Sequence, residues 1–192
     1  AFKEGGFKTA FYSNQIPGGS FIDFYAKEAD SHENIRHSEV GGYITLNNYD
    51  EFLLPLLHNY IKTVTGNTFI VLHTYGSHYN YKERYPSNFS YFNPDDSSKI
   101  KIEKRQNLLN AYDNSIIYTD DFLDKVISIL DNLDATTALF YTSDHGEDLL
   151  DDDRKRFLHS SPKPTFYQLK IPMFMWFSEN YKNDFPNKVD NA

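Results

Sequence analysis

Short apolar runs alternate along this chain with longer segments of helical periodicity. Thr68 to Leu72 reads Thr-Phe-Ile-Val-Leu, and Ala138 to Thr142 has the same character. A run without polar alternation favours a strand that is covered on both faces, as in parallel sheets. Phe7 to Tyr12 and Lys170 to Ser178 are further predicted strands. Strands that alternate with helices predict an α/β sandwich with a mostly parallel sheet.

Helical periodicity and loop composition divide the rest of the chain. The predicted helices are Phe21 to Asp30, Asp50 to Val64 and Lys99 to Leu133. The predicted loops are Ile16 to Ser20, Tyr75 to Asp96 and Asp148 to Lys163. We expect Asn48 or Asp50 to cap the second helix. Ala1 to Gly6 resembles the end of a helix, so we expect the chain to begin inside an αβ unit.

Composition excludes several classes of protein. The chain has 192 residues, of which 40% are apolar and 17% aromatic, enough to bury a core. Its net charge of −8 argues against a nucleic-acid partner. Its longest apolar runs are about five residues, whereas a membrane span needs about 20. With no cysteine, a metal site must be built from seven His and 27 Asp and Glu residues.

Histidines and carboxylates follow two of the predicted strands. His73 and His78 come just after Leu72, and Asp144, His145 and Glu147 come just after Thr142. Ligands of open α/β sheets bind at the carboxyl ends of the strands. The sequence therefore predicts a site at this edge of the sheet.

The pair Asp144 and His145 is a candidate metal site. Adjacent residues of a strand point to opposite faces, so both reach one metal only if the backbone turns, which Gly146 permits. Their oxygen and nitrogen donors suit Zn²⁺ or Mn²⁺, with zinc bonds of about 2.0–2.2 Å. The alternative is that Asp144 caps the next turn and His145 lies on the surface.

Three more histidines are weighed against ordinary structural roles. His73 continues an apolar strand, so we expect it to be buried near the site, whereas His78 is freer to touch a substrate. His159 taken alone reads as a surface residue. Hydroxyl residues without any nucleophile signature are Thr74, Ser77, Ser143 and Ser160.

Several motifs in order resemble the phosphoethanolamine transferases of the sulfatase and alkaline-phosphatase superfamily. They are Ser13-Asn-Gln15, Phe69-Ile-Val-Leu-His73-Thr-Tyr-Gly-Ser-His78, Arg84-Tyr-Pro86, Tyr112-Asp-Asn-Ser-Ile116, Tyr141-Thr-Ser-Asp144-His145-Gly-Glu147, Phe157-Leu-His159 and Ile171-Pro-Met173. The match covers nearly the whole chain with similar spacing, which makes it specific.

The resemblance implies an α/β/α sandwich of the alkaline-phosphatase type, incomplete at its N-terminus. It implies an enzyme that moves phosphoethanolamine from phosphatidylethanolamine to lipid A or another envelope glycan, through a covalent phospho-enzyme. Zinc, or Mn²⁺ or another divalent ion, would be held by Asp144 and His145. His78 and His159 would act on the phosphoryl group or a second metal, and His73 would support them.

The resemblance also implies two site residues that cannot be placed on this sequence. The family's Glu ligand and Thr nucleophile lie N-terminal to the matched region, so we expect both upstream of residue 1. Residues 1–192 would then be the C-terminal part of the catalytic domain, inactive alone and itself soluble. The complete protein would have an upstream membrane anchor in the bacterial inner membrane and a periplasmic catalytic domain. A missing central strand would leave an open sheet edge or exposed apolar surface.

Three alternatives remain open. A sulfatase commonly carries a C/S-x-P-x-R motif, whereas Ser160-Ser-Pro162-Lys-Pro164 lacks the arginine. A phosphoglycerol transferase or phosphodiesterase on the same fold is the second. The third is a binding module for sugar or lipid, built from the seven aromatic residues between Tyr75 and Phe92.

Overall fold

The predicted alternation of strands and helices is present in the computed structural model, which describes residues 1–15, 21–35, 49–96, 98–159 and 162–189. Its strands are β1 (Lys8–Ser13), β2 (Ser31–Asn34), β3 (Thr68–His73), β4 (Ala138–Thr142), β5 (Asp148–Leu149), β6 (Phe157–Leu158) and β7 (Met173–Phe177). Its helices are α1 (Phe21–Glu28), α2 (Leu53–Thr63), α3 (Arg105–Asp131), α4 (Phe166–Leu169), α5 (Glu179–Asp184) and α6 (Pro186–Val189). The α/β class is confirmed.

A parallel sheet forms the first half of the chain. Its strand order is β2-β1-β3, and β1 pairs in parallel with both neighbours. The register sets Ser13 beside His73, so both strands end at the same edge. Strand β2 was not predicted because its sequence, Ser-His-Glu-Asn, contains no apolar residue.

The second half of the chain departs from the expected parallel, fully buried sheet. Strand β4 pairs with β7 in an antiparallel ladder that sets Phe140 beside Met175 and Thr142 beside Met173. Phe140, Met173 and Met175 are 56%, 67% and 53% exposed. One face of this ladder is therefore apolar and uncovered in the described part of the chain. The expectation of exposed apolar surface is confirmed, whereas the expectation that β4 is buried on both faces is wrong.

Two helices cover the parallel sheet. Leu53 and Leu57 of α2 and Phe122 of α3 are almost completely buried, in one cluster with Ala10 and Tyr12 of β1. A second cluster joins the loop after β3 to α3 and β5, through Tyr81, Leu108, Ala111 and Leu149. The apolar faces of the helices thus fix both the sheet and the loops at its edge.

Some local predictions need correction. The expected helix end at Ala1 to Gly6 needs none, because the N–H groups of Gly5, Gly6 and Phe7 donate to the carbonyls of Ala1, Lys3 and Phe2, and Gly6 has a φ of 81°, as at a helix C-terminus. Helix α2 begins at Leu53 after a 3-10 turn, Asp50–Phe52, and Asp50 does not cap it. Loop 148–163 contains the β5–β6 hairpin. The predicted loop at 16–20, the alternative cap Asn48 and Ser160 lie outside the described residues.

The described α-helices have between four and 27 residues. None of them combines the length and the hydropathy that a bilayer crossing needs.

Candidate active site

The carboxyl ends of β1 and β3 are joined by polar contacts. Ser13 Oγ lies 2.9 Å from His73 Nδ1, and the Asn14 backbone N–H donates to the His73 carbonyl at 2.9 Å. Gln15 Nε2 donates to the Thr74 carbonyl at 3.1 Å. His73 lies at the sheet end, as expected, but it is partly rather than fully buried, and its Nδ1 is already used in the contact with Ser13.

The ends of β3 and β4 influence each other electrostatically. Burial lowers the pKa of His73, and the nearby negative charges of Asp144 and Asp50 partly oppose this. Burial also raises the pKa of Tyr141, and the same two carboxylates add to that rise. Residues from distant parts of the sequence therefore share one electrostatic environment, as the strand-end argument predicts.

Asp144 and His145 are arranged so that both can reach one metal ion. His145 Nδ1 lies 3.0 Å from the Gly146 carbonyl, so it carries the proton and leaves the Nε2 lone pair free. Asp144 Oδ2 lies 3.8 Å from that Nε2. Two zinc bonds of about 2.0–2.2 Å span at most about 4.4 Å, so the pair fits a shared ion. The Asp144 side chain is 84% exposed, so an ion held by this pair would be open to further ligands.

Gly146 is required here by close packing. A Cβ at this position would lie 2.0 Å from the Tyr167 backbone oxygen, which no side chain tolerates. The Gly146 N–H donates to the Gln168 carbonyl at 2.9 Å. The turn after β4 is thus pressed against α4, so the glycine serves close approach rather than the backbone freedom expected from the sequence.

Glu147 is a buried carboxylate whose two oxygens both have partners. Tyr81 Oη donates to Oε2 at 3.0 Å, and His159 Nδ1 lies 2.9 Å from Oε1. Tyr81 is completely buried, and burial together with the charge of Glu147 raises the pKa of Tyr81. A histidine that donates through Nδ1 presents a free Nε2 lone pair. Glu147 therefore orients His159.

The imidazoles of His145 and His159 lie against each other. Their ring centroids are 3.6 Å apart, and ligand atoms of His145, Glu147 and His159 all lie within 4.8 Å of one another. Leu158, just before His159, adopts a φ of 67°, a left-handed conformation that is unfavourable for a bulky residue. Such strain is concentrated at functional sites. His159 is thus part of this cluster rather than an isolated surface residue.

His78 lies outside this three-residue group. Its Nδ1 is 2.7 Å from the Tyr79 carbonyl, and its ring is 4.9 Å from that of Tyr75. Tyr79 packs edge-on against Phe157 at 5.1 Å, two residues before His159. The loop that carries His78 therefore packs against the segment that carries His159.

Sequence reasoning missed three residues of this region. Glu147 was placed at the sheet edge without a role, although it directly follows the Asp-His-Gly motif. Tyr81 belongs to the seven loop aromatics and to the residues that resemble the family, but neither pattern assigned it a role. Asp50 was read as a helix cap, yet its carboxylate contacts the loop after β3.

Comparison with known proteins agrees with this arrangement. The sulfatase family model matches residues 1–192. The phosphoethanolamine transferase EptA of Escherichia coli K12 is 41% identical over 140 residues, which are 70% of this chain and 25% of that protein. The integral membrane protein EptA from Neisseria meningitidis superposes with a TM-score of 0.83 at 28% identity, over 96% of this chain and 34% of that one.

A solved periplasmic domain shares the same fold. The C-terminal periplasmic domain of EptC from Escherichia coli, crystallised in complex with zinc, superposes with a TM-score of 0.82 at 24% identity. The match covers 96% of this chain and 52% of that domain, so the chain spans about half of it. The fold is thus of the alkaline-phosphatase type. The chain belongs to the sulfatase family, and the EptA relatives named above are phosphoethanolamine transferases.

Proposed function

We propose that the complete protein transfers phosphoethanolamine from phosphatidylethanolamine to lipid A or another envelope glycan. The observation that carries this proposal is the pairing of Asp144 Oδ2 with the free Nε2 of His145, next to a carboxylate-held His159. Such a group of donors suits a divalent cation and a phosphoryl group together. The named relatives support the choice of reaction.

Asp144 and His145 would hold the metal ion, with zinc as the proposed ion and Mn²⁺ or another divalent ion as the alternative. A bound ion of this kind neutralises phosphoryl charge and lowers the pKa of an attacking hydroxyl. When both of its ring nitrogens carry protons, His159 would donate through Nε2 a hydrogen bond to a phosphoryl oxygen, or deliver that proton to the departing diacylglycerol oxygen, while Nδ1 stays bonded to Glu147. His78 would assist from the neighbouring loop, and His73 would support the sheet edge.

The remaining parts of the site would come from outside residues 1–192. We propose a threonine nucleophile and a further carboxylate ligand N-terminal to these residues, so that the chain is the C-terminal part of the catalytic domain. The threonine oxygen would bond to phosphorus as the bond to diacylglycerol breaks, and the acceptor would then take the phosphoethanolamine group. The exposed apolar face of the β4–β7 ladder supports this proposal, because such a face is normally covered.

The proposed surroundings follow from the substrates. Both are envelope lipids, so we place the complete protein in the bacterial inner membrane with this domain in the periplasm. An anchor upstream would keep the site near its lipid donor. The relative described as an integral membrane protein and the relative's periplasmic domain support this placement.

The test is transfer by the complete protein in vesicles that contain labelled phosphatidylethanolamine and lipid A. Mass spectrometry of lipid A should find added phosphoethanolamine with the wild type and with His58→Ala, an exposed histidine on α2. It should find none with His145→Ala. Transfer from phosphatidylglycerol instead would favour a phosphoglycerol transferase, and turnover of nitrophenyl sulfate over nitrophenyl phosphate would favour a sulfatase.

A further inference from the structure

A buried carboxylate connects three segments at the sheet edge. Asp50 is 6% exposed, and its Oδ1 accepts hydrogen bonds from Asn14 Nδ2 at 2.7 Å and the Tyr75 N–H at 2.8 Å. Its Oδ2 accepts one from the Gly76 N–H at 2.9 Å. One side chain thus ties the end of β1 and the loop after β3 to the start of the α2 segment.

The ordinary role of an Asp at the start of a helix is absent here. The 3-10 turn that begins at Asp50 has no side-chain cap, and neither does α2. Within the described ranges no Lys or Arg forms an ion pair with Asp50. A buried carboxylate is costly unless hydrogen bonds satisfy it, so these three neutral donors are what hold it in place.

The base of this connection is rigid. Leu53 and Leu57, within seven residues of Asp50, are 0% and 2% exposed in the main core cluster. The carboxylate is therefore anchored to the packed interior, and the segment that it holds is a surface loop.

That loop leads to His78. Gly76 has a φ of 56°, a left-handed conformation that the Asp50 bond to its N–H helps to fix. The Tyr75 ring lies 4.9 Å from the ring of His78 and 4.2 Å from the Arg84 guanidinium. Tyr75 is therefore held at its backbone and stacked at its side chain, and the exposed His78 ring lies against it.

We propose that Asp50 is a positioning residue that fixes the Tyr75–Gly76 backbone and, through the Tyr75 ring, orients His78. The part concerning the reaction rests on the proposed function, because it requires His78 to act on the phosphoryl group. The part concerning the loop rests on the hydrogen bonds alone.

Amide hydrogen exchange tests the loop directly in the complete protein. Asp50→Asn puts an NH₂ group where Oδ2 accepted a bond, so two donors face each other. Exchange at Tyr75 and Gly76 should speed up about tenfold or more. Glu51→Gln, the adjacent and more exposed acid, should leave it unchanged. Unchanged exchange in Asp50→Asn would overturn the proposal, whatever the activity.

If Asp50→Asn does not fold, Asn14→Ala takes its place. We expect a smaller acceleration of exchange in Asn14→Ala, and unchanged exchange would again overturn the proposal.

A double-mutant cycle tests the route through His78. Asp50→Asn and His78→Ala should each lower the transfer rate, by about tenfold for Asp50→Asn, and the double variant should be no slower than His78→Ala. A merely structural role for Asp50 would give additive losses, and additivity would overturn the route. If the wild type transfers no phosphoethanolamine, the proposed function fails while the exchange measurement still decides the loop.

Discussion

The strand ends of the two sheets, the parallel half β2-β1-β3 and the antiparallel half β4-β7, use similar polar residues in opposite ways. At the ends of β1 and β3, Ser13 pairs with His73, and Asn14 donates a hydrogen bond to Asp50. After β4, Asp144 and His145 leave an oxygen and a nitrogen donor next to each other without a hydrogen bond between them. The polar groups of the parallel half form a frame, because they hydrogen-bond to one another. Those of the antiparallel half offer donor atoms to a ligand outside the chain. Burial and partners, rather than residue type, separate structural from functional polar groups.

The largest effect is expected when the antiparallel half loses one of its metal-donor side chains. Asp144→Ala in the complete protein should abolish zinc retention and transfer, because one of the two adjacent donors is removed. Metal content after dialysis and the transfer assay measure this. Asp134→Ala, an exposed acid after α3, is the matched control and should behave as the wild type. Full metal content in Asp144→Ala would contradict the assignment.

Glu147 shares a property with each half. Its carboxylate is buried, as in the frame, but it orients His159, which belongs to the donor group. Glu147→Gln should lower metal affinity or transfer by about 10- to 100-fold, as is usual when the partner of a site histidine is changed. Complete loss of metal would instead identify Glu147 as a direct ligand. Glu103→Gln, an exposed acid before α3, serves as the control.

Tyr81 supports Glu147 from the core, so its hydroxyl affects stability more than metal binding. Tyr81→Phe leaves a buried carboxylate oxygen without its donor and should lower the free energy of unfolding by about 1–3 kcal/mol. Urea denaturation of the catalytic domain measures the change. Tyr91→Phe, at a residue that is 64% exposed, should have no measurable effect. An equal loss in both variants would show that the Tyr81 contact contributes nothing specific.

The smallest effect concerns the frame histidine. Burial lowers the pKa of His73 below its ordinary 6.5. At pH values between the lowered pKa of the folded chain and 6.5, the unfolded chain therefore binds more protons than the folded one. The stability that neutral His73 confers is complete above about pH 6.5 and is lost as the pH falls toward its folded pKa. Denaturation at several pH values should therefore show a weaker pH dependence for His73→Gln than for the wild type. His58→Gln should keep the wild-type dependence.

Periodicity and motifs predicted much of the fold but only part of the site. The runs at Thr68 to Leu72 and Ala138 to Thr142 became β3 and β4, since apolar runs of that length fit little else. Their exposure and the antiparallel direction of β7 were not predictable, because both depend on which strands lie beside them. The polar strand β2 carried no apolar pattern at all.

Within the site, motif residues were easier to find than their partners. Asp144, His145 and His159 stand in short motifs, and the structure brings them to one edge or cluster. Asp50 and Tyr81 contact residues 25 and 66 positions away, and such contacts arise only when the chain folds. The local pattern predicts that Asp50 caps the nearest helix. In the folded chain its carboxylate instead accepts hydrogen bonds from the loop after β3.

The tight seating of Gly146 against α4 links a short surface helix to the metal donors. Helix α4 has only four residues; Phe166 and Leu169 on it are 66% and 67% exposed, and Gln168, which donates to Asp148, is its one buried residue. Short exposed helices open more readily than the core of a domain. When α4 opens, the backbone contact that holds the turn of His145 is released with it. The residence time of a bound ion should therefore follow the opening rate of α4 rather than the melting of the whole domain.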